Sequence, residues 1–142
     1  MGTIKAVCTS NVKGIQKSEQ HSIELRPDWG IEGDAHAGNW HRQVSLLSFE
    51  AIENFKELGA EVGNGAFGEN IIVEGFDLKA LPIGTRFRSN STVLELTQIG
   101  KKCHAHCAIY HKMGDCIMPR EGVFCKVIDG GVITVGDSIE II

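Results

Sequence analysis

Seventeen glycines are spread through 142 residues, and between them lie short runs in which apolar and polar residues alternate. Glycine turns a chain at no steric cost. Short runs with a period of two read as half-buried strands, not helices. Residues 3–10, 21–25, 43–47, 70–73, 85–88, 92–99, 122–128, 132–133 and 138–142 carry that signal. Ser89-Asn90-Ser91 reads as a hairpin turn, Asp129-Gly130-Gly131 as a tight turn, and the polar residues 11–20 as a loop.

One stretch has a different period. Ser48 stands where an N-cap would, and Phe49, Ile52, Phe55 and Leu58 follow at helical spacing. Acidic residues fall in the first turn, and Gly59 suits the position just past the helix end. Two pieces of chain, Leu81-Pro82-Ile83-Gly84-Thr85 and Ile133-Thr134-Val135-Gly136-Asp137, share one turn device leading into a strand. Many short strands with one or two short helices predict a mainly β fold, a small closed or nearly closed β-barrel. The length fits a single domain over residues 1–142.

Composition narrows the function. A net charge of −4 with no run of one sign argues against nucleic acid as a partner, because such binders carry a basic stripe. No apolar run reaches membrane-spanning length, and the first residues lack the apolar core of a signal peptide. Met1-Gly2 opens like an acylation signal, but Ala6 stands where Ser or Thr is required. The expectation is a cytoplasmic protein that engages no membrane. Five cysteines make an odd count, and three of them fall between 103 and 116, which fits a reduced thiol or metal site better than a disulfide framework.

The chemistry concentrates in residues 100–107, Gly-Lys-Lys-Cys-His-Ala-His-Cys. Lys101, Lys102, His104 and His106 surround Cys103 with positive or protonatable groups that favour its thiolate, the form that attacks, carries sulfur or binds metal. The competing reading is a small buried apolar cysteine. Cys103, His104 (or His106), Cys107 and Cys116 could supply four zinc ligands, although the spacing is not that of a standard knuckle. Cys116 could equally be a resolving thiol, or pack beside Ile117 and Met118.

A second polar group lies upstream. Asp34, His36 and His41 occupy a glycine-containing loop. Asp34 is expected to orient His36 by accepting its ring N–H, leaving His36 to give or take a proton near neutral pH. A Gly-Asp turn is the plainer reading for Asp34, since Gly114-Asp115 and Gly136-Asp137 repeat the dipeptide. Arg42, with Lys101, Lys102 and Arg120, could hold a phosphate or carboxylate. Asn70, following Glu69, could hydrogen-bond a ligand, brace the cysteine loop, or serve a strand-entry turn. Cys8 and Cys125 lie in apolar strands and read as packing residues.

Several motifs occur in an order that resembles one family. They are Gly30-Ile31-Glu32-Gly33-Asp34-Ala35-His36-Ala37-Gly38, His41-Arg42-Gln43-Val44-Ser45-Leu46-Leu47, Gly68-Glu69-Asn70-Ile71, Leu81-Pro82-Ile83-Gly84 and Cys103. Together they are similar to the MOSC domain, named for the C-terminal part of molybdenum-cofactor sulfurases. Cys103, His104, Cys107 and Gly114-Asp115-Cys116 resemble a short, stand-alone bacterial subtype. The resemblance implies a barrel like that of the pyruvate-kinase barrel domain. It also implies a key cysteine, Cys103 by position, that carries sulfur as a persulfide or ligates molybdenum.

It further implies His36 and His41 as proton-handling residues, and Asp34, Arg42, Asn70, Lys101 and Lys102 as cofactor-binding residues. The implied cofactor is molybdenum cofactor (molybdopterin), with zinc on Cys103, His104, Cys107 and Cys116 as the alternative. The implied partners are a cysteine-desulfurase-like sulfur donor and molybdenum-cofactor enzymes or biosynthesis proteins. Neither a pyridoxal-phosphate domain nor the additional barrel of reductase-type members is recognisable. The expected function is therefore sulfur carriage or sulfurtransfer with no bound pyridoxal phosphate. A non-catalytic cofactor-binding or zinc-binding module is the alternative.

Overall fold

Alternating side chains form eleven strands in the computed structural model, which describes residues 1–13, 15–100 and 121–142. They are β1 (Gly2–Thr9), β2 (Ser18–Gln20), β3 (Ser22–Arg26), β4 (Gly30–Ile31), β5 (Val44–Ser48), β6 (Ile71–Glu74), β7 (Arg86–Ser89), β8 (Thr92–Ile99), β9 (Val123–Asp129), β10 (Gly131–Thr134) and β11 (Ser138–Ile141). Helix α1 (Phe49–Glu57) joins β5 to β6, and a 3₁₀ turn covers Leu78–Ala80.

Seven strands close on themselves in the order β1, β11, β7, β8, β9, β5, β6 and back to β1. Every pair in this ring is antiparallel except β5 with β6, where α1 supplies the crossover that a parallel pair needs. The barrel is therefore fully closed, and α1 is the one α-helix among the described residues. Strand β2 adds to β1 beyond the point where β11 leaves it, pairing Ser18–Gln20 with Val7–Thr9.

Closure divides the apolar residues into two clusters. Ile4, Val7, Leu46, Ile71, Phe87, Leu94, Leu96 and Val127 fill the barrel interior. On the outer face, Ala6, Cys8, Leu47, Ile72 and Phe124 are covered by Ile52 and Phe55 of α1 and by Phe67. Ile4 and Ala6 would share a face in a regular strand, but the register of β1 against β6 shifts between them. That bulge turns Ala6 and Cys8 outward while Val7 points in.

Three local expectations are corrected. Residues 18–20 form a strand, not a loop, and they do so through backbone pairing alone, since all three are exposed. The strand expected at 132–133 is not part of the barrel: Gly131–Thr134 pair with β3, and β3 pairs with β4, as a separate small sheet. Gly130 permits this passage, because a Cβ there would stand 2.6 Å from the Leu25 carbonyl oxygen. Ser48 occupies the N-cap position of α1 without capping it, and its Oγ donates instead to the Phe76 carbonyl at 3.2 Å.

The shared turn device is real at both places. Gly84 and Gly136 take φ of +94° and +93°. Thr85 N–H closes on the Pro82 carbonyl and Asp137 N–H on the Thr134 carbonyl. No helix among the described residues is long and apolar enough to cross a membrane.

Candidate functional site

Strands β8 and β9 are neighbours in the barrel, and residues 101–120 are carried between them. Gly100 N–H donates to the Gly122 carbonyl at 2.6 Å and ties the two ends of that segment together. Cys103, Lys101, Lys102, His104, Cys107, Cys116 and Arg120 lie outside the described residues. The described part of the site is what stands around the Gly100–Gly122 junction.

His41 and Arg42 lie against β8 and β9 beside this junction. Thr97 Oγ1 shares its one proton between the carbonyls of His41 and Phe124. Gln98 Nε2 donates to the Gly100 carbonyl at 2.8 Å, which fixes the amide and aims its Oε1 at His41 Nε2, 2.7 Å away. An amide oxygen only accepts, so His41 carries a proton on Nε2. His41 is thus wired through Gln98 to Gly100, three positions before Cys103.

Arg42 lies beside His41 with its guanidinium carbon 4.6 Å from the Trp40 ring centroid and 5.6 Å from that of Phe124. Lys13 Nζ lies 5.3 Å from the Trp40 ring. Aromatic faces attract cations in this way. Arg42 Nε is buried and makes no hydrogen bond among the described residues. Arg42 and Lys13 therefore both lie against the Trp40 indole. Neither Trp40 nor Lys13 was evident beforehand.

Asp34 and His36 are arranged differently from the expectation. The Asp34 side chain is fully buried and pairs with the equally buried Lys17, Nζ to Oδ1 at 2.7 Å. Its Oδ1 also accepts Ser10 N–H, and its Oδ2 accepts the backbone N–H of His36 at 3.1 Å. The His36 ring Nδ1 stands 3.8 Å from Asp34 Oδ2 but 2.9 Å from Lys17 Nζ. Asp34 therefore does not accept the His36 ring N–H. It holds the loop and the Lys17 ammonium, and the ammonium faces the imidazole.

Lys17 was missed because a single lysine in a polar loop reads as solvated. The one available signal was indirect: a buried aspartate needs a cation nearby. Lys17 is fixed by its backbone too, since its N–H donates to the Gly65 carbonyl at 2.9 Å. Gly65 and Phe67 in turn donate their N–H groups to the Glu69 carboxylate at 3.1 and 3.0 Å. Burial pushes the Glu69 pKa up, against the lowering effect of those N–H bonds and of Lys17.

Asn70 is a brace. It is fully buried, its Oδ1 accepts from Ser45 N–H and Ser45 Oγ, and its Nδ2 donates to the Cys8 carbonyl at 3.0 Å. Through these bonds it links β1, β5 and the start of β6. Cys8 and Cys125 are buried free thiols, as expected. Burial first, and then the Glu69 and Glu19 charges, push the Cys8 pKa up to about 12. Burial raises that of Cys125 as well.

Among the described residues no group of three or more His, Cys, Asp or Glu side chains could hold a metal ion. The described surface fits the anionic part of a phosphate-bearing cofactor through Arg42, with its unpartnered Nε, and Lys13.

This architecture has solved counterparts. The YuaD protein of Bacillus subtilis superposes with a TM-score of 0.81 at 21% identity, covering 99% of this chain and 96% of that one. YiiM of Geobacillus stearothermophilus gives 0.76 at 18% identity over 100% and 75% of the two chains. YiiM of Escherichia coli gives 0.65 at 17% over 99% and 69%. At such identities the likeness concerns the fold. No curated protein sequence gives a significant match. The MOSC domain family model matches residues 33–140, which takes in segment 34–42, the Gly68–Asn70 turn, the Gln98 bridge and Cys103. The chain belongs to the MOSC domain family.

Proposed function

We propose that this MOSC domain is a sulfur carrier of molybdenum-cofactor metabolism, with Cys103 holding sulfane sulfur as a persulfide. The thiolate of Cys103 attacks the outer sulfur of a donor persulfide. The donor S–S bond breaks, the donor departs as a thiolate, and the sulfur remains on Cys103. A cysteine-desulfurase-like protein fits the donor role, and a molybdenum-cofactor enzyme or biosynthesis protein fits the acceptor role.

The observation that carries this reading is the Gln98 bridge, which brings His41 to Gly100 at the foot of the Cys103 segment. In this reading His41 handles protons, and Arg42 with Lys101 and Lys102 holds the anionic partner. Two of the five cysteines, Cys8 and Cys125, are buried with raised pKa values. Sulfur chemistry therefore falls to Cys103, Cys107 and Cys116.

Intact mass spectrometry after incubation with a low-molecular-weight polysulfide tests this. One added sulfur atom, mapped to Cys103 and lost in Cys103→Ser, is the expected result. Undiminished loading in Cys103→Ser refutes it.

A second reading draws on Arg42, whose Nε is buried between two aromatic rings without a partner among the described residues. The domain would hold molybdenum cofactor or a pterin precursor without turnover, with Arg42 on the phosphate and the cofactor supplying metal and dithiolene chemistry. Copurified molybdenum or pterin fluorescence that disappears in Arg42→Met supports this reading. Retention in that variant counts against it.

A further inference from the structure

Lys17 is remote in sequence from every motif of the site, yet its ammonium is buried against two of the site's residues. We propose that Lys17 is a positioning residue that holds the imidazole of His36 in the tautomer carrying its proton on Nε2.

The argument is one of donors and acceptors. Asp34 Oδ1 lies 2.7 Å from Lys17 Nζ, with neither side chain exposed, so the amine is held as an ammonium. An ammonium has three donors and no lone pair. Its 2.9 Å contact with His36 Nδ1 therefore requires the lone pair to be on Nδ1. In a neutral imidazole the proton then resides on Nε2. Asp34 does not compete for Nδ1. Its Oδ2 is 3.8 Å from that atom and already accepts the backbone N–H of His36 at 3.1 Å.

The ammonium is set from its other end as well. Lys17 N–H is bound to the Gly65 carbonyl, and Gly65 approaches the Lys17 backbone so closely that a Cβ there would collide with the Lys17 carbonyl. Glu69 fixes Gly65 and Phe67 from beneath. Each connection restricts where Nζ can go.

The consequence reverses the role that an aspartate-oriented histidine would have. A carboxylate on Nδ1–H leaves a lone pair on Nε2 and makes the residue a base. An ammonium on Nδ1 leaves an N–H on Nε2 and makes it a donor, suited to stabilising an anionic oxygen or sulfur. That consequence rests on the reading of His36 as part of the sulfur-handling site. The tautomer itself does not, so the two fail separately.

Two-bond ¹H–¹⁵N correlation spectra of uniformly ¹⁵N-labelled protein near neutral pH read the tautomer directly, with His36→Asn identifying the resonance. The expected pattern is a protonated Nε2 and an unprotonated Nδ1. A protonated Nδ1, alone or together with Nε2, overturns the proposal. Lys17→Arg should keep the pattern, and Lys17→Met should shift the Nδ1 resonance toward the protonated range. Should Lys17→Met not fold, Lys17→Met/Asp34→Asn removes the ammonium without stranding the carboxylate and should lose the pure Nε2–H pattern. A folded variant lacking the ammonium that keeps that pattern unmixed also overturns the role of Lys17. Sulfur loading of Cys103, measured in parallel on the wild type, reports on the proposed function and not on the tautomer.

Discussion

Replacing Lys17 by methionine keeps an unbranched side chain, one atom shorter, and removes its charge, so it probes the buried pair. At 2.7 Å the gross attraction between Lys17 and Asp34 is about 6 kcal/mol for an effective dielectric near 20. Desolvating the two ions opposes this with several kcal/mol each, so the pair as a whole contributes little net stability. Removing one partner is a different matter, because the Asp34 carboxylate stays buried with only the Ser10 and His36 N–H groups to satisfy it.

Breaking a buried pair from one side costs roughly 3–5 kcal/mol. At about 4 °C per kcal/mol for a chain of this size, Lys17→Met should lower Tm by roughly 12–20 °C. Asp34→Asn in the Lys17→Met background should recover about half of the loss or more, because the stranded charge is gone and one N–H bond is weakened. Urea denaturation of wild type, both single variants and the double variant gives the coupling energy, expected at about 2–3 kcal/mol. The exposed pair Arg26–Glu32, with side chains 58% and 50% exposed, is the control and should show less than about 1 kcal/mol. A Lys17–Asp34 coupling as small as the control's would refute the buried-pair argument.

Three further outcomes follow from the same neighbourhood. Because burial raises the folded-state pKa of Glu69, its ionisation disfavours folding: the stability it permits is full below the unfolded carboxylate pKa and is lost as pH rises through the folded pKa. Urea titrations across mildly acidic to neutral pH should therefore show wild type gaining on Glu69→Gln as pH falls; a pH-independent difference counts against this. Gly65→Ala should cost more than about 3 kcal/mol or prevent folding, since φ is +87° and the added Cβ meets the Lys17 carbonyl; a Tm within a few degrees of wild type speaks against that packing. In native protein, alkylation with iodoacetamide followed by peptide mapping should leave Cys8 and Cys125 unmodified until denaturant is added; early labelling of either contradicts their burial.

Most of the barrel was legible because its strands bury one face and leave a period of two in the sequence. Helix α1 was legible from Phe49, Ile52 and Phe55, and its end from Gly59 at φ +105°. What escaped had no side-chain signal. Strand β2 is polar and exposed, and only the free edge of β1 makes it a strand. The pairing of β10 with β3 joins residues about a hundred positions apart, and no local pattern announces it.

The site divides in the same way. Arg42 was singled out from its motif, and its stacking on Trp40 and Phe124 carried no sequence signal. Asn70 was singled out with a ligand, a brace and a strand-entry turn as its alternatives, and the side-chain bonds to Ser45 and Cys8 are those of a brace between strands. Asp34 and His36 were seen together, but Lys17 was not, and that lysine inverts the hydrogen bond at the imidazole. Sequence proximity identified the members of the cluster, and only the packing of a distant loop supplied their order.

The most direct test of the account is the location of transferred sulfur. Polysulfide-treated protein, digested without reductant and mapped by mass spectrometry, should carry one additional sulfur on the peptide containing Cys103 and none on those containing Cys8 or Cys125. Loading on either of those two, or loading that persists in full when Cys103 is replaced by serine, would contradict it.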